Sequence, residues 1–194
     1  MLRSLLRAVA AFFCLVPFAV AAQVTLHGVK SDENAAIGSN NPLPNGAGTR
    51  YKGPSKVYAA GLYVGKKAAT TEELLAQSGA KRMTVVMLRD IDAGELGKLF
   101  IRGVEDNMER AAMSKLIPGL MRMSQIFTEH KKLESGQQFT IDWIPGTGTV
   151  VSVRGVPQGE PFKEPEFFNA LMRIWLGPVP ADWRLKDSLL GKPA

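Results

Sequence analysis

Apolar and polar positions change period several times along the chain, and each change marks an element. From Gln23 to Lys30, Val24, Leu26 and Gly28 alternate with Thr25 and His27, which predicts a half-buried strand. Asp32 to Asn41 is polar and turn-rich, so a loop or hairpin precedes a glycine-rich turn, Asn45-Gly-Ala-Gly-Thr-Arg50. Lys56 to Gly65 reads as a second strand, rich in Val and Tyr. Thr71 is placed to cap a short helix from Glu72 to Gln77. Lys81 to Ile91 contains Met83-Thr-Val-Val-Met-Leu88, apolar on both faces, which predicts a central strand.

The spacing then switches to that of a helix. Leu96, Leu99, Phe100, Gly103, Val104, Asn107, Met108 and Ala111 share one face, opposite Lys98, Arg102, Glu105, Asp106 and Glu109. A further helix is expected over Leu116 to Lys132, bent or restarted at Pro118-Gly119. Gln137 to Ile144 and Thr149 to Val153 predict a hairpin around Pro145-Gly-Thr-Gly148. Pro165 opens a helix over Glu166 to Leu176, and Ala181 to Leu190 gives a last short one. Strands first, helices next and a closing hairpin make an α+β domain.

The first residues have a different character. Arg3 and Arg7 precede an apolar run from Ala8 to Val20 and small residues at 19–22, which reads as a signal peptide over residues 1–22. The expected domain is then 23–194, exported to the periplasm or secreted by a Gram-negative bacterium, with no stable membrane anchor after cleavage. The single cysteine, Cys14, leaves with the signal, so neither a disulfide nor thiol chemistry is expected. Of 24 Lys+Arg and 18 Asp+Glu, only Arg3 and Arg7 are lost, leaving +4. These charges are scattered rather than striped, which argues against nucleic acid as a partner.

Most catalytic chemistries find no purchase here. Two histidines, His27 and His130, are too few and too separated for a metal site, and no Gly-x-Ser-x-Gly elbow occurs. Pro145-Gly-Thr-Gly148 leads into a strand, whereas a phosphate cradle needs a helix N-terminus. No cofactor is expected. Three polar features remain. Arg50 enters an apolar, aromatic setting and cannot shed its proton, so it is solvated, paired with an acid, or held for an anion or carbonyl. Asn107 lies on an apolar stripe, where its amide is either satisfied by backbone or aimed at a cavity. Tyr58 and Tyr63 face opposite sides of one strand, so one can line a pocket while the other packs. Met83, Met87, Met108, Met113, Met121 and Met123 serve as packing or as plastic apolar lining.

Four segments together resemble the chalcone isomerase-like superfamily, and its exported bacterial branch most closely. They are Asn45-Gly-Ala-Gly-Thr-Arg50, Lys56-Val-Tyr-Ala-Ala-Gly-Leu-Tyr-Val64, Leu88-Arg-Asp-Ile91 and Gly103-Val-Glu-Asp-Asn107. The resemblance runs from about Val24 to Leu190. It implies an open-faced β-sandwich: a large antiparallel sheet with a layer of helices over one face and a ligand cleft between them. It also implies that Arg50 matches the family's catalytic arginine, which stabilises the developing enolate when the plant enzymes cyclise an enone, and that Asn107 matches its active-site asparagine. The family's active-site tyrosine falls at Phe100 and a threonine at Tyr58, a possible replacement donor, while Gln158-Gly159 stands near another threonine. Non-catalytic members bind fatty acids, with the arginine on the carboxylate.

Three functions follow from the residues and the resemblance. The first is binding of a lipophilic carboxylate or related small molecule by Arg50, Tyr58, Phe100, Val104 and Asn107. The second is an intramolecular lyase or isomerase acting on a chalcone-like or other enone, with Arg50, Asn107 and Tyr58 as its catalytic groups. The third is a non-catalytic envelope scaffold with an unidentified protein partner.

Overall fold

Strands β3 (Leu43–Lys52) and β4 (Ser55–Val64) form a long antiparallel hairpin at one edge of the main sheet. The computed structural model describes residues 41–192, Ile37, and the backbone of β1 (Thr25–Leu26) and β2 (Val29–Lys30). β1 and β2 pair antiparallel, Thr25 opposite Lys30, so two short strands replace the single strand expected over Gln23 to Lys30. The expected signal peptide, His27 and most of Asp32 to Asn41 lie outside the described residues.

The remaining strands are β5 (Lys81–Met87), β6 (Ile91–Asp92), β7 (Lys132–Leu133), β8 (Gln138–Ile144), β9 (Gly148–Val153) and β10 (Val156–Pro157). Six of them make one antiparallel sheet in the order β10-β9-β8-β5-β4-β3, and β6 pairs with β7 apart from it. β5 is internal, as its two apolar faces predict. The helices are α1 (Thr71–Ala76), α2 (Ala93–Glu105), α3 (Arg110–Thr128), α4 (Pro165–Leu176) and α5 (Trp183–Leu189). Alternation decides the faces. Tyr58, Leu62, Met83, Val85, Met87, Phe139, Ile141, Val151 and Val153 meet buried residues of the helices in one core. On the other face Arg82 and Asp142, directly opposed across β5 and β8, make a bidentate pair at 2.7 Å on both arms. This is the expected α+β arrangement, a large open sheet with helices packed on one side.

The glycine-rich segment is strand rather than turn. Gly46 and Gly48 lie inside β3, and neither adopts a positive φ. Their role is close approach. A Cβ at Gly46 would meet Ser188 O at 2.0 Å, and one at Gly48 would meet Ser188 Cβ at 2.8 Å. Helix α5 therefore lies on the backbone of β3. Asn45 ties the same contact: its Nδ2 donates to Leu189 O and Ala68 O, and its Oδ1 accepts from Ala68 N.

Three other expectations change. Thr70, not Thr71, caps α1 through Glu73 N, while Thr71 Oγ1 donates to Leu176 O. α3 runs unbroken through Pro118, and Gly119 serves Phe167, whose ring would lie 2.6 Å from a Cβ there. α2 stops at Glu105, two residues short of Asn107, so Met108 and Ala111 do not extend its face.

Two stability measurements test this packing. Gly46→Ala forces α5 off β3 and lowers stability by more than about 3 kcal/mol in chemical denaturation, whereas Gly53→Ala at the open hairpin tip costs far less. Lys81 is buried at the start of β5, donates to the carbonyl of Gln77, and has its pKa pushed down to about 8 by burial. Between about pH 8 and the ordinary 10.5 the unfolded lysine holds a proton that the folded one releases, so stability rises with pH through that window. Lys81→Met abolishes this rise, seen as the difference between the two proteins' pH–stability curves.

Candidate functional site

A cleft of about 310 Å³ opens between β3–β4, α2 and the segment joining α4 to α5. Arg50 stands near the end of β3 and pairs in register with Tyr58 of β4. Its Cζ lies 5.6 Å from the centre of the Tyr58 ring. Among the described residues Arg50 makes no ion pair, and its buried Nε has no hydrogen-bond partner. Asp90, an acid that could have neutralised it, is instead engaged with Lys132 and Ser135 N. Asp182 lies nearer the site, but its carboxylate accepts from Tyr51 N, Arg184 N and Leu185 N as the cap of α5.

Tyr58 is the second polar group of the cleft. Its hydroxyl accepts a 2.8 Å bond from Trp175 Nε1 of α4. Burial pushes the phenol's pKa up, against the lowering charge of Arg50 and the hydrogen bonds from Trp175 and Arg50. The phenol is thus neutral near pH 7. With one lone pair taken by Trp175, its O–H is left to donate. Arg50 and Tyr58 together offer a cation and a neutral donor to one oxygen-bearing group.

Below this pair the cleft is apolar. Phe100 of α2 is buried, stacks on Phe127 at 5.1 Å and meets Phe139 and Trp175 edge-on at 5.8 and 6.0 Å. Leu96, Leu99, Phe139 and Ile174 complete the floor. The rim carries Lys52 and Arg102 against a single acid, Asp106, which sits 3.7 Å from Arg102 in an exposed i,i+4 pair. Such an exposed pair contributes little energy, so the wall that Arg50 heads stays cationic.

The structure gathers Arg50, Tyr58 and Phe100 at the cleft; Val104 and Asn107 are placed elsewhere. Val104 is fully buried in the core. Asn107 lies past the end of α2, where its Nδ2 donates to Gly103 O and Val179 O and its Oδ1 accepts from Val179 N. Its amide is satisfied by backbone, the first of the two alternatives its position allowed. None of the six methionines lines the cleft: Met83, Met87 and Met123 are core, and Met121 is exposed. Gln158 bonds His130 and is not a lining residue. No cluster of His, Cys, Asp or Glu able to hold a metal occurs among the described residues.

Sequence reasoning missed Lys52, Trp175 and Arg102. Lys52 was findable, since it lies two positions from Arg50 on one strand and so shares its face. Trp175 carried no local signal, because its indole meets Tyr58 only through the packing of α4 on the sheet.

The chain belongs to the chalcone isomerase-like family, whose match spans residues 23–191. Its fold is similar to that of a fatty-acid binding protein of Arabidopsis thaliana, with a TM-score of 0.65 at 17% identity, covering 87% of this chain and 96% of that one. Among curated proteins none matches the sequence significantly. No described helix is long and apolar enough to cross a membrane.

Asn107→Ala tests the assignment of that residue as a staple. It lowers stability by about 1–3 kcal/mol in urea denaturation. Unchanged stability would return Asn107 to the list of cleft residues.

Proposed function

We infer that this protein binds a small lipophilic carboxylate, with the head group on Arg50 and Tyr58 and the apolar part on the aromatic floor. The observation that carries the reading is the state of Arg50: a permanent cation at an apolar cleft, without an acid of its own and with a buried donor unused. Leaving a buried donor unmet costs about 1–3 kcal/mol, and an anionic ligand is a natural acceptor. Lys52 and Arg102 favour the same sign of charge. The cavity lies at the small end of the ~300–1,000 Å³ usual for ligand pockets, so the reading favours a short or medium chain, or one ring system, over a long acyl chain wholly enclosed. The likeness to a fatty-acid binding protein supports the class of ligand. Export through residues 1–22 belongs to this reading and places the binder outside the cytoplasm.

A second reading keeps one observation in its favour. Tyr58 holds a phenolic proton beside Arg50, a pair that could polarise an enone carbonyl in an intramolecular lyase or isomerase. Against it stand Phe100, which brings no hydroxyl, and Asn107, which is turned to the backbone. A chalcone cyclisation assay distinguishes the two, and turnover lost in both Arg50→Ala and Tyr58→Phe would establish the enzyme.

Calorimetric titration tests the main reading with decanoate, cinnamate and methyl decanoate. At least one of the acids binds and the ester does not. Arg50→Ala weakens binding about 10–100-fold, the loss of a charged hydrogen-bond partner, while its thermal midpoint stays within a few degrees of wild type. Equal affinity for acid and ester, or binding undiminished in Arg50→Ala, sinks the reading.

A further inference from the structure

The rim of the cleft carries more exposed apolar surface than the cleft itself requires. Of the seven large apolar residues exposed on the described surface, two lie on this rim, Val179 and Trp183. Of the other five, Leu43 is at the far end of β3, Tyr51 is on the face of β3 opposite Arg50 and Lys52, Ile117 and Met121 are neighbours on α3, and Val156 is on the opposite edge strand. The backbone N–H of Tyr51 bonds the cap of α5 one residue before Trp183. Val179 is itself a lining residue. Trp183 is 61% exposed, where the side chains of most tryptophans are largely covered.

This exposure is built, not frayed. Pro178 and Pro180 fix the backbone on either side of Val179. Asn107 holds both the N–H and the carbonyl of Val179, and Ala181 N donates to Ile174 O at 2.8 Å. Asp182 caps α5 through two backbone amides and so fixes Trp183 as the first residue of that helix. Cations surround these apolar groups. Lys52 and Arg102 lie on the rim, Arg184 is exposed on α5, and Lys186 Nζ sits 5.1 Å from the Trp183 ring. The nearby acids are each engaged: Asp106 with Arg102, Asp182 as the cap and Asp187 with Lys192.

We propose that this rim is a docking collar for an anionic lipid bilayer. Trp settles at the boundary between headgroups and acyl chains, because it has an apolar ring with a polar tip. Basic residues beside them are drawn to anionic headgroups within a Debye length of the surface. A collar of this kind sets the mouth of the cleft against the membrane, where a lipophilic anion is concentrated. The docking itself rests on the rim alone; its purpose, loading or unloading the cleft, rests on the carboxylate reading above. Contact of this type is peripheral and reversible, in keeping with the absence of a spanning helix among the described residues.

The test is vesicle flotation of the purified protein, with tryptophan emission followed in parallel. Vesicles of phosphatidylcholine carrying phosphatidylglycerol are compared with phosphatidylcholine alone. Trp175 is buried and Trp143 partly buried, so a blue shift on binding reports Trp183. The protein floats with the anionic vesicles, shifts blue, and is released by salt. Trp183→Ala weakens vesicle binding about tenfold or more, and Arg184→Gln about fivefold. Both variants bind dissolved decanoate like wild type, since neither residue lines the cleft. Absence of binding, or binding indifferent to Trp183→Ala, overturns the proposal. So does a blue shift that grows with protein concentration without lipid, which marks a protein–protein interface instead. If decanoate fails to bind while vesicle docking and its Trp183 dependence persist, the collar stands and the carboxylate reading falls.

Discussion

Helix α5 lies directly on the backbone of β3, and much of the cleft's geometry depends on that contact. No side chain fits at Gly46 or Gly48, and the Asn45 amide bonds the end of α5 to the chain before α1. With α5 pinned, Asp182 reaches Tyr51 N and the loop ahead of it closes one wall of the cleft. Arg50 lies two positions past Gly48, so its side chain shares that face of β3 and lines the cleft. The same glycines that leave room for α5 thus determine where a guanidinium can reach the cleft.

The cleft balances a cation against an apolar interior by letting one polar group serve another. Trp175 gives its N–H to Tyr58, whose ring lies beside the Arg50 guanidinium. A phenol held this way keeps its proton and loses the freedom to turn aside. The aromatic cluster around Phe100 sets a low-dielectric floor beneath the pair, which strengthens any interaction made with an anion above it.

Departures from the family's catalytic set have structural counterparts. Phe100 stands at the centre of a cluster of Phe127, Phe139 and Trp175, where an added hydroxyl would need a partner that these rings do not supply. Asn107 has a complete set of backbone bonds and fastens the rim rather than the ligand. The resemblance placed both residues on one helix; Phe100 lies on α2, and Asn107 lies two residues past its end. It did not show that one of them had been turned to architecture, because a motif records residue type and spacing, not the partner an amide chooses.

Local pattern by itself determined a good deal. The two-sided apolar run of Met83 to Met87 marked the central strand, Pro165 marked the start of α4, and Pro145 to Gly148 marked a hairpin, because each depends on period or on the φ of one residue. The sequence also singled out Arg50, since a permanent charge beside apolar strands demands an explanation wherever it folds. Only the tertiary structure decided what surrounds it. Gly46 and Gly48 read as a turn in the sequence but form a strand under α5, for close approach and tight turning select the same residue. The meeting of Trp175 with Tyr58 across 117 positions, and of Asn107 with Val179 across 72, follows from the packing of helix on sheet. Contacts that distant leave no trace in spacing, and here they fix where the polar groups of the cleft point.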